Sequence, residues 1–240
     1  MNVYETKDIA ACLAGNAYVG RGIVIGKSAD GKKALCAYFI MGRSANSRNR
    51  VFAEREGVLY TQPYEDSKVE DPSLIIYAAE RRLGQYLIVT NGDQTDTVYN
   101  GLRAGQTFAK ALSTRCFEPD APNFTPRISG LLTFADGDFS YEMGILKSAD
   151  AAGCACNRFV FSYAALPGVG HFLHTYVRDG NPLPTFVGEP ERVTVPDDID
   201  TFTDSLWTAL DAENRISLHV RMTDLATGKE ETRLINRNQK

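Results

Sequence analysis

The sequence predicts an α+β protein in which antiparallel sheets carry helices on their outer faces. About ten short apolar segments rich in β-branched and aromatic residues are typical of strands, whereas helical patterns are few and clustered. Asp-Gly dipeptides at residues 30–31 and 136–137 each lie between two such segments and indicate antiparallel hairpins. Because 240 residues suit one large domain, we expect an N-terminal extension over residues 1–17 and a single domain over residues 18–240.

The first half of the chain is predicted to consist mainly of strands. They are expected over residues 18–26, 33–41, 58–62, 74–79 and 86–90. A helical turn is expected over residues 8–13, and longer helices over residues 93–102 and 106–116. A cap for the helix over residues 106–116 is expected within Gly105-Gln106-Thr107.

The second half repeats this arrangement. Strands are expected over residues 127–134, 139–147, 158–164, 171–177, 192–195, 216–225 and 232–235. A proline-rich insertion over residues 181–196 precedes a helix over residues 197–210. Three aspartates in the first turn of that helix favour it, because carboxylates stabilise the positive end of the helix dipole.

The composition excludes several classes of function. With 26 basic and 30 acidic residues the net charge is −4, which argues against a general binder of nucleic acid or of membrane surfaces. No apolar stretch approaches the roughly 18 residues that a membrane span needs. The first residues lack the basic and apolar regions of a secretory signal, so we expect a cytoplasmic protein.

No metal site is expected from the cysteines and histidines. Five cysteines at irregular spacing argue against a disulfide framework and for reduced thiols. Cys154 and Cys156 are separated by one residue, and no second cysteine pair completes a zinc site. His171 and His174 lie on a predicted strand, where residues three apart point to opposite faces. We therefore predict packing roles for all four residues.

Polar side chains gather at four places where predicted strands begin or end, and the loop over residues 42–50 is the richest. It contains three arginines, two serines and two asparagines. So many donors suggest a site for an anionic or carbonyl-bearing ligand. The alternative is a solvated turn with salt bridges at its rim.

The other three clusters are open to two interpretations as well. Residues 90–96 combine an Asn-Gly turn with a helix N-terminus, which suits phosphate or carbonyl recognition but also describes an ordinary capped turn. Residues 117–128 hold an acidic pair and an arginine among three prolines, so a constrained carboxylate there could act as a general base; a surface loop is the alternative. Residues 168–176 contain the two histidines.

Taken in order, these clusters resemble the archaeal-type IMP cyclohydrolase family. Tyr18-Val19-Gly20-Arg21 is similar to the family's opening motif, and the segment from Arg43 to Arg48 to its R-S-x-x-x-R loop. The remaining similar motifs are Ile75-Ile76-Tyr77, Thr90-Asn91-Gly92-Asp93-Gln94-Thr95-Asp96, Thr125-Pro126-Arg127-Ile128 and Thr175-Tyr176. The resemblance extends from about residue 18 to residue 225.

The resemblance implies a four-layer αββα sandwich like that of the N-terminal-nucleophile (Ntn) hydrolases, used without that nucleophile. Met1-Asn2 agrees with this, since it offers no catalytic serine, threonine or cysteine. The implied reaction closes the purine ring of 5-formamidoimidazole-4-carboxamide ribonucleotide to give IMP and water. The reaction is intramolecular, so no cofactor is implied, and the implied partner is this small-molecule purine ribonucleotide.

The resemblance also implies roles for individual residues. Glu118 is expected to accept a proton from the amide, and Arg48, helped by Arg43, to stabilise the oxyanion or orient the formyl group. Tyr77 would donate a hydrogen bond, and Asn91 would position the carboxamide or the base. Substrate contacts are expected from Arg21, Arg43, Ser44, Gly92, Thr95, Asp96, Arg127 and Tyr176.

Three positions depart from the family pattern. Ala78 stands where the family has asparagine, Gln94 stands where it has histidine, and Arg50 lies outside the arginine spacing, so a supporting or structural role is expected for it. Two other functions stay open. An amide-bond hydrolase of the Ntn type would need cleavage before Cys12 or Cys36 to free a nucleophile. A non-catalytic purine-nucleotide binder would fit if the two pocket changes have removed the chemistry. The sequence leaves homo-oligomer formation open.

Overall fold

The protein is described by a computed structural model that covers residues 4–69 and 75–238. Within these ranges the chain forms thirteen strands and five α-helices. The strands are β1 (Arg21–Lys27), β2 (Lys33–Met41), β3 (Arg50–Arg55), β4 (Val58–Pro63), β5 (Tyr77–Leu83), β6 (Tyr86–Thr90), β7 (Arg127–Ala135), β8 (Asp138–Ser148), β9 (Cys156–Ala164), β10 (Val169–His174), β11 (Glu191–Thr194), β12 (Arg215–Asp224) and β13 (Glu230–Asn236). The helices are α1 (Ile9–Leu13), α2 (Ala45–Arg48), α3 (Gln94–Arg103), α4 (Phe108–Leu112) and α5 (Ile199–Ala209).

The strands form two antiparallel sheets. The first has six strands in the order β11-β10-β1-β2-β12-β13, and the second has seven in the order β3-β4-β5-β6-β7-β8-β9. Every ladder between neighbouring strands is antiparallel. The prediction of an α+β protein with antiparallel sheets and few helices is confirmed.

Three apolar clusters connect these elements. The first joins α1 and α5 to one face of the six-stranded sheet, with Leu13 and Phe202 at its centre. The second lies between the two sheets and includes Ile23 and Val89. The third packs α3 and α4 on the seven-stranded sheet. Burying each large apolar side chain contributes about 1.5–3 kcal/mol to the stability of the fold. These contacts therefore fix the positions of the sheet ends.

Side-chain caps define where four of the helices begin. Asp8, Ser44, Thr107 and Asp198 each precede a helix and accept a hydrogen bond from a backbone N–H two or three residues further on. The cap predicted within residues 105–107 is therefore found at Thr107. None of the helices in the described ranges is long and apolar enough to cross a membrane.

Several predicted elements differ from the observed ones, and the short helix α2 is absent from the prediction. The strand over residues 33–41 is confirmed at both ends, but β3 is absent from the prediction. The strand predicted over residues 74–79 corresponds to β5, which begins at Tyr77; residue 74 itself lies outside the described residues. The helix predicted over residues 106–116 is shorter, because α4 ends at Leu112.

The N-terminal segment packs against the sheets. Lys7 forms an isolated bridge with Val193 of β11, and Ile9 and Leu13 of α1 are buried in the cluster that includes α5. The described part of the predicted extension therefore contributes to the same core as the strands that follow it.

Candidate active site

A cavity of about 280 Å³ opens at the end of the two sheets where β1 and β3 begin. Typical ligand pockets occupy roughly 300–1,000 Å³, so this cavity suits a small molecule. Segments far apart in sequence meet here, namely the start of β1, the loop after β2, the start of β3, the loop before β7 and the residues after β10. Five residues predicted for the site line it, and they are Arg21, Arg43, Ser44, Glu118 and Tyr176.

Glu118 is a buried carboxylate in this cavity. Its residue surface is only 7% exposed, and no described residue donates a hydrogen bond to its side chain. Burial raises the pKa of Glu118, and this effect outweighs the lowering by the nearby charges of Arg21 and Arg127. A carboxylate that is unpartnered and has a raised pKa is suited to accept a proton from a ligand.

The loop that carries Glu118 is fixed by its own hydrogen bonds. The backbone N–H of Glu118 donates to the carbonyl of Thr125 at 2.9 Å. The Asp120 carboxylate accepts hydrogen bonds from the backbone N–H of Thr125, at 2.6 Å, and from its hydroxyl. That hydroxyl also lies 2.6 Å from the hydroxyl of Tyr176, whose ring stacks on Tyr18. These bonds hold the Glu118 segment against the end of β10.

Arg21 and Arg50 place two buried guanidinium groups in the same cavity. The two residues are 6% and 5% exposed, and neither guanidinium donates a hydrogen bond to another described residue. The Nε atoms of both side chains, and Nη1 of Arg50, are buried without a partner. Burial and the nearby charge of Arg21 lower the pKa of Arg50. Two buried cations thus accompany one buried carboxylate, Glu118.

Arg43 and Ser44 lie at the mouth of the cavity. The Arg43 guanidinium lies 5.0 Å from the ring centre of Tyr18 and forms an ion pair with Asp179. It also donates to the carbonyl of Gly180 at 3.0 Å. Ser44 is the N-cap of α2. The Arg43 bonds tie the loop after β2 to residues 179–180, just before the proline-rich segment.

Seven of the twelve predicted site residues lie outside the cavity lining, and Arg48 and Asp96 are two of them. Arg48 ends α2, and its guanidinium donates to the carbonyl of Gly42 at 3.1 Å and to Oδ1 of Asn214 at 3.0 Å. Asp96 is exposed on α3 and forms an ion pair with Arg81 at 2.8 Å. Both side chains have protein partners that hold them where they are.

Tyr77 begins β5 and is buried near the two unpartnered arginines. Its hydroxyl lies 2.9 Å from the hydroxyl of Tyr38, and either oxygen can be the donor. Tyr77 is an electrostatic neighbour of both Arg21 and Arg50. The tyrosine pair therefore provides hydroxyl groups close to the guanidinium groups.

Asn91, Gly92 and Thr95 form hydrogen bonds within the fold. The Asn91 side chain donates to the carbonyl of Pro126 at 2.9 Å and accepts from the N–H of Ile128 at 2.8 Å. The Thr95 hydroxyl donates to the carbonyl of Gly92 at 3.2 Å. The cluster over residues 90–96 thereby fixes the start of β7, on which the Glu118 loop ends.

Arg127 connects that cluster to the site. Its Nη1 donates to Asp93 at 2.7 Å and to Oε1 of Gln94 at 2.8 Å. Gly92 leaves room for this arrangement, because a Cβ added there would lie 2.5 Å from Nη1 of Arg127. Gln94, the position that departs from the family pattern, is thus a structural partner of Arg127.

The two histidines have partners on opposite faces of β10. Nδ1 of His171 lies 2.6 Å from the hydroxyl of Tyr141, between the sheets, whereas Nδ1 of His174 lies 2.8 Å from the carbonyl of Tyr176. The prediction that they point apart is confirmed. In the part of the chain that the structure describes, no group of three or more potential ligand side chains could hold a metal ion.

Tyr18, Asp120 and Arg50 are among the cavity residues that sequence reasoning did not assign to the site. Tyr18 belongs to the same motif as Arg21, and Asp120 lies in the same loop as Glu118. Their closeness in sequence to predicted site residues could therefore have identified both. Arg50 carries no such signal, because its direction depends on β3. The arrangement as a whole can accept a proton at Glu118 and stabilise negative charge at Arg21 and Arg50.

Known proteins similar to this chain are consistent with that chemistry. IMP cyclohydrolase of Methanopyrus kandleri is 34% identical over 116 residues, which are 47% of this chain and 57% of that protein. IMP cyclohydrolase of Methanosphaera stadtmanae is 34% identical over 120 residues, 48% of this chain and 57% of that protein. The chain therefore spans little more than half the length of these curated relatives.

The family match is more extensive than either pairwise match. The sequence model for the IMP cyclohydrolase-like proteins matches residues 18–229. That range contains every residue of the cavity lining. The chain therefore belongs to the IMP cyclohydrolase-like protein family.

Proposed function

We propose that the protein is an IMP cyclohydrolase, which closes the purine ring of 5-formamidoimidazole-4-carboxamide ribonucleotide to give IMP and water. The observation that carries this proposal is the buried, unpartnered Glu118 beside two buried arginines in a chain of this family. We propose a cytoplasmic enzyme without a cofactor, whose partner is the purine ribonucleotide.

In the proposed reaction the carboxamide nitrogen attacks the formyl carbon of the same molecule. Glu118 accepts a proton from that nitrogen, and negative charge develops on the formyl oxygen. This oxygen then leaves as water with two protons, one from the carboxamide nitrogen and one from the formamide nitrogen. Holding the two groups in register can contribute several kcal/mol, and oriented donors about 3 kcal/mol more. Glu118 has the raised pKa that this role needs.

The other predicted residues divide into two groups in this proposal. Arg43, Ser44 and Tyr176 line the cavity and are available to contact the ribonucleotide. Asn91 and Arg127 act through the hydrogen bonds that fix the start of β7. The role of Arg48 as a contact for the formyl group stays a prediction, which its bonds to Gly42 and Asn214 do not favour.

We also propose the four-layer αββα arrangement of the Ntn hydrolases for this fold. Its support is the order of the apolar clusters, in which α1 and α5 pack on one sheet, the sheets pack on each other, and α3 and α4 pack on the other sheet. A sandwich of this kind positions strand ends from both sheets around one cavity.

An amide-bond hydrolase of the Ntn type is the first alternative. It needs a terminal nucleophile, and cleavage before Cys36 would cut the middle of β2, which pairs with β1 and β12 on both sides. Cys12 lies within α1, whose residues Ile9 and Leu13 are buried. Cleavage at either position would disrupt the packed core, so this alternative has less support than ring closure.

A non-catalytic purine-nucleotide binder is the second alternative. This alternative rests on Ala78 and Gln94, which stand where the family has an asparagine and a histidine. Gln94 forms hydrogen bonds to Asn91 and Arg127, so the site keeps a polar bridge at that position. The buried carboxylate and arginines are also still in place, which favours a catalytic function.

The direct test is the absorbance change when purified protein is mixed with the formylated ribonucleotide. We expect turnover by the unaltered protein and a loss of about 10²-fold or more in Glu118→Gln, because a positioned general base contributes roughly 10²–10⁴-fold. Glu189→Gln, at an exposed position outside the cavity, serves as the matched control and should keep its rate. Tight binding of IMP without turnover would instead identify a nucleotide binder.

A further inference from the structure

Cys116 and Cys156 are neighbours in the fold although they are far apart in sequence. Cys156 begins β9, and Cys116 lies in the segment between α4 and β7. The guanidinium group of Arg158 connects the two segments. Its Nε and Nη2 donate to the carbonyl of Arg115 at 3.1 and 2.7 Å, and its Nη1 donates to the carbonyl of Cys156 at 3.2 Å. Because the Arg115 carbonyl belongs to the peptide bond that leads into Cys116, one side chain holds both cysteine backbones together.

The two thiols are adjacent as well. Residues two apart on a strand share a face, so the Cys156 side chain lies on the same side of β9 as Arg158. It packs against the apolar cluster that α3 and α4 form on the seven-stranded sheet. Burial raises the pKa of Cys156, and a side-chain hydrogen bond with Cys116 raises it further. Cys116 is exposed and Cys156 is half-buried, so a reagent in solution reaches Cys116 first.

This thiol pair is attached to the loop that carries Glu118. Cys116 is two residues before Glu118 in the sequence. The hairpin of β8 and β9 contacts the same loop, because a Cβ added at Gly153 would lie 2.6 Å from the Phe124 ring. A bond between Cys116 and Cys156 would therefore join this hairpin to the loop at a point next to the proposed base.

We infer that Cys116 and Cys156 are a modification site, at which a small-molecule disulfide converts the two thiols reversibly into an intramolecular disulfide. Both cysteines are free in the structure, which is the form that a reducing compartment maintains. Disulfides in such compartments are usually transient and serve redox sensing. The modification goes beyond the proposed function, and only its effect on turnover rests on that function.

The modification proceeds by two exchange steps that balance. The Cys116 thiolate attacks one sulfur of the reagent, the S–S bond of the reagent breaks, and one reagent thiolate leaves. The Cys156 thiolate then attacks the Cys116 sulfur and displaces the second reagent thiolate. The two protein thiols together lose two electrons and two protons, and the reagent is reduced to two thiols.

Closing the disulfide should displace Glu118. An S–S bond of about 2.0 Å is shorter than any hydrogen bond between two thiols, so residue 116 must move towards β9. A shift of about 1 Å at a catalytic group can lower the rate by about 10²-fold. We therefore expect the oxidised protein to close the purine ring at least about tenfold more slowly, and a thiol reductant to restore the rate.

Peptide mapping after exposure to oxidised glutathione tests the pair without any measurement of turnover. Trypsin leaves Cys116 in one peptide and places Cys154 and Cys156 together in another, so variants must distinguish the last two. The unaltered protein and Cys154→Ser should both contain the two peptides joined by a disulfide. Cys156→Ser should instead carry glutathione on Cys116, because the second thiol is missing. Joined peptides in Cys156→Ser, or glutathione retained on Cys116 of the unaltered protein, would overturn the inference.

Turnover measurements test the consequence for the site. Cys116→Ser changes an exposed residue outside the cavity lining, so it should keep the reduced rate within about threefold and should not respond to oxidised glutathione. Cys154→Ser should lose rate on oxidation as the unaltered protein does. An unchanged rate in protein whose disulfide has formed would overturn the regulatory effect. If the reduced, unaltered protein does not close the ring, the proposed function fails while the mapped disulfide still stands.

Discussion

At the scale of single residues, the site depends on charged and polar groups whose burial costs free energy. Glu118 has no hydrogen-bond donor among the described residues, and burial holds its pKa above the ordinary value. Tyr77 and Tyr38 satisfy each other's hydroxyl groups, so they add polarity without adding charge. Residues that violate the usual rules of burial while their neighbours obey them indicate function.

The raised pKa of Glu118 predicts two effects of pH. The activity should fall on the acid side with an apparent pKa above the ordinary glutamate value of about 4.3, because protonation removes the base. A carboxyl whose pKa is raised on folding destabilises the folded state at pH values above its folded pKa. Glu118→Gln should therefore melt at a higher temperature than the unaltered protein at pH 7.

Thermal melts of both proteins across the acid range provide the check. The difference in melting temperature should shrink as the pH falls through the raised pKa, because the unaltered side chain becomes neutral as well. A Glu118→Gln protein that is less stable at pH 7 would contradict the interpretation of this carboxylate as a strained, functional group. The matched Glu189→Gln protein should show no such dependence, since Glu189 is exposed.

The difference between Arg48 and Arg50 shows what the sequence could not reveal at this scale. Spacing in the loop after β2 indicated a donor-rich site, and Arg43 and Ser44 do line the cavity. Arg50 lies two residues after Arg48, and whether its side chain enters the cavity depends on where α2 ends and β3 begins. That boundary is set by packing of β3 against β4, which no local pattern encodes.

At the scale of elements, the loop before β7 determines the environment of Glu118. Asp120 has both a mechanical and an electrostatic role there. It holds the loop by accepting two hydrogen bonds from Thr125, and its charge raises the pKa of Glu118. The two roles can be separated by substitution.

Asp120→Asn should move the acid limb of the pH–rate profile to lower pH. The amide removes the charge that raises the pKa of Glu118 but keeps an oxygen that can accept from Thr125. Thr125→Val is the matched control, because it removes the hydroxyl bonds of the loop and leaves the Asp120 charge. We expect Thr125→Val to cost about 1 kcal/mol of stability without moving the limb to lower pH. An unmoved limb in Asp120→Asn would contradict the electrostatic role.

The elements that sequence patterns predicted are those with strong local signals. The hairpins around the two Asp-Gly turns were predicted correctly. Asp136-Gly137 forms the two-residue loop that this dipeptide favours, whereas Asp30-Gly31 lies in a longer loop, because the last pair of the β1–β2 ladder is Lys27 with Ala34. β3 and β4 are joined instead at Glu56 and Gly57, both of which have positive φ. Glutamate is an unusual residue for such a position, so the turn and the strand before it escape a search for standard hairpin signals.

At the scale of the whole molecule, the two sheets share a buried ionic contact as well as an apolar core. Glu80 lies on β5 just after a β-bulge, where Leu59 pairs with Glu80 but Tyr60 pairs with Ala78. Its carboxylate accepts a hydrogen bond at 2.5 Å from Nε of Arg221, which lies on β12 of the other sheet. A one-residue bulge thus directs a charge between the sheets, which a strict alternation pattern cannot anticipate.

The charges around Glu80 are arranged to favour its ionised form. Arg221 also pairs with Glu230, and His219 lies 3.5 Å from the Glu80 carboxylate. Burial alone would raise the pKa of Glu80, but His219 and Arg221 lower it to about 2. Arg221 is 4% exposed, so removing its buried partner in the other sheet would leave this charge with only the more exposed carboxylates of Glu230 and Glu54.

Glu80→Gln should therefore destabilise the whole fold by about 3–5 kcal/mol at pH 7, the usual cost of removing one partner of a buried ion pair. Glu54→Gln is the matched control. Glu54 approaches the same Arg221 at 3.6 Å but its side chain is 37% exposed, so we expect a cost below about 1 kcal/mol. Urea unfolding at pH 7 measures both differences.

The pH dependence of that difference tests its cause. A glutamate whose folded pKa is lowered contributes stability above its unfolded pKa of about 4.3, and that contribution is lost as the pH falls towards the folded value of about 2. The difference in the free energy of unfolding between the unaltered protein and Glu80→Gln should thus become smaller between pH 5 and pH 3. A gap that stays constant over this range would attribute the loss to packing rather than to charge. The sheets would then be held in register by their apolar cluster alone, and the bulge at β5 would need another explanation.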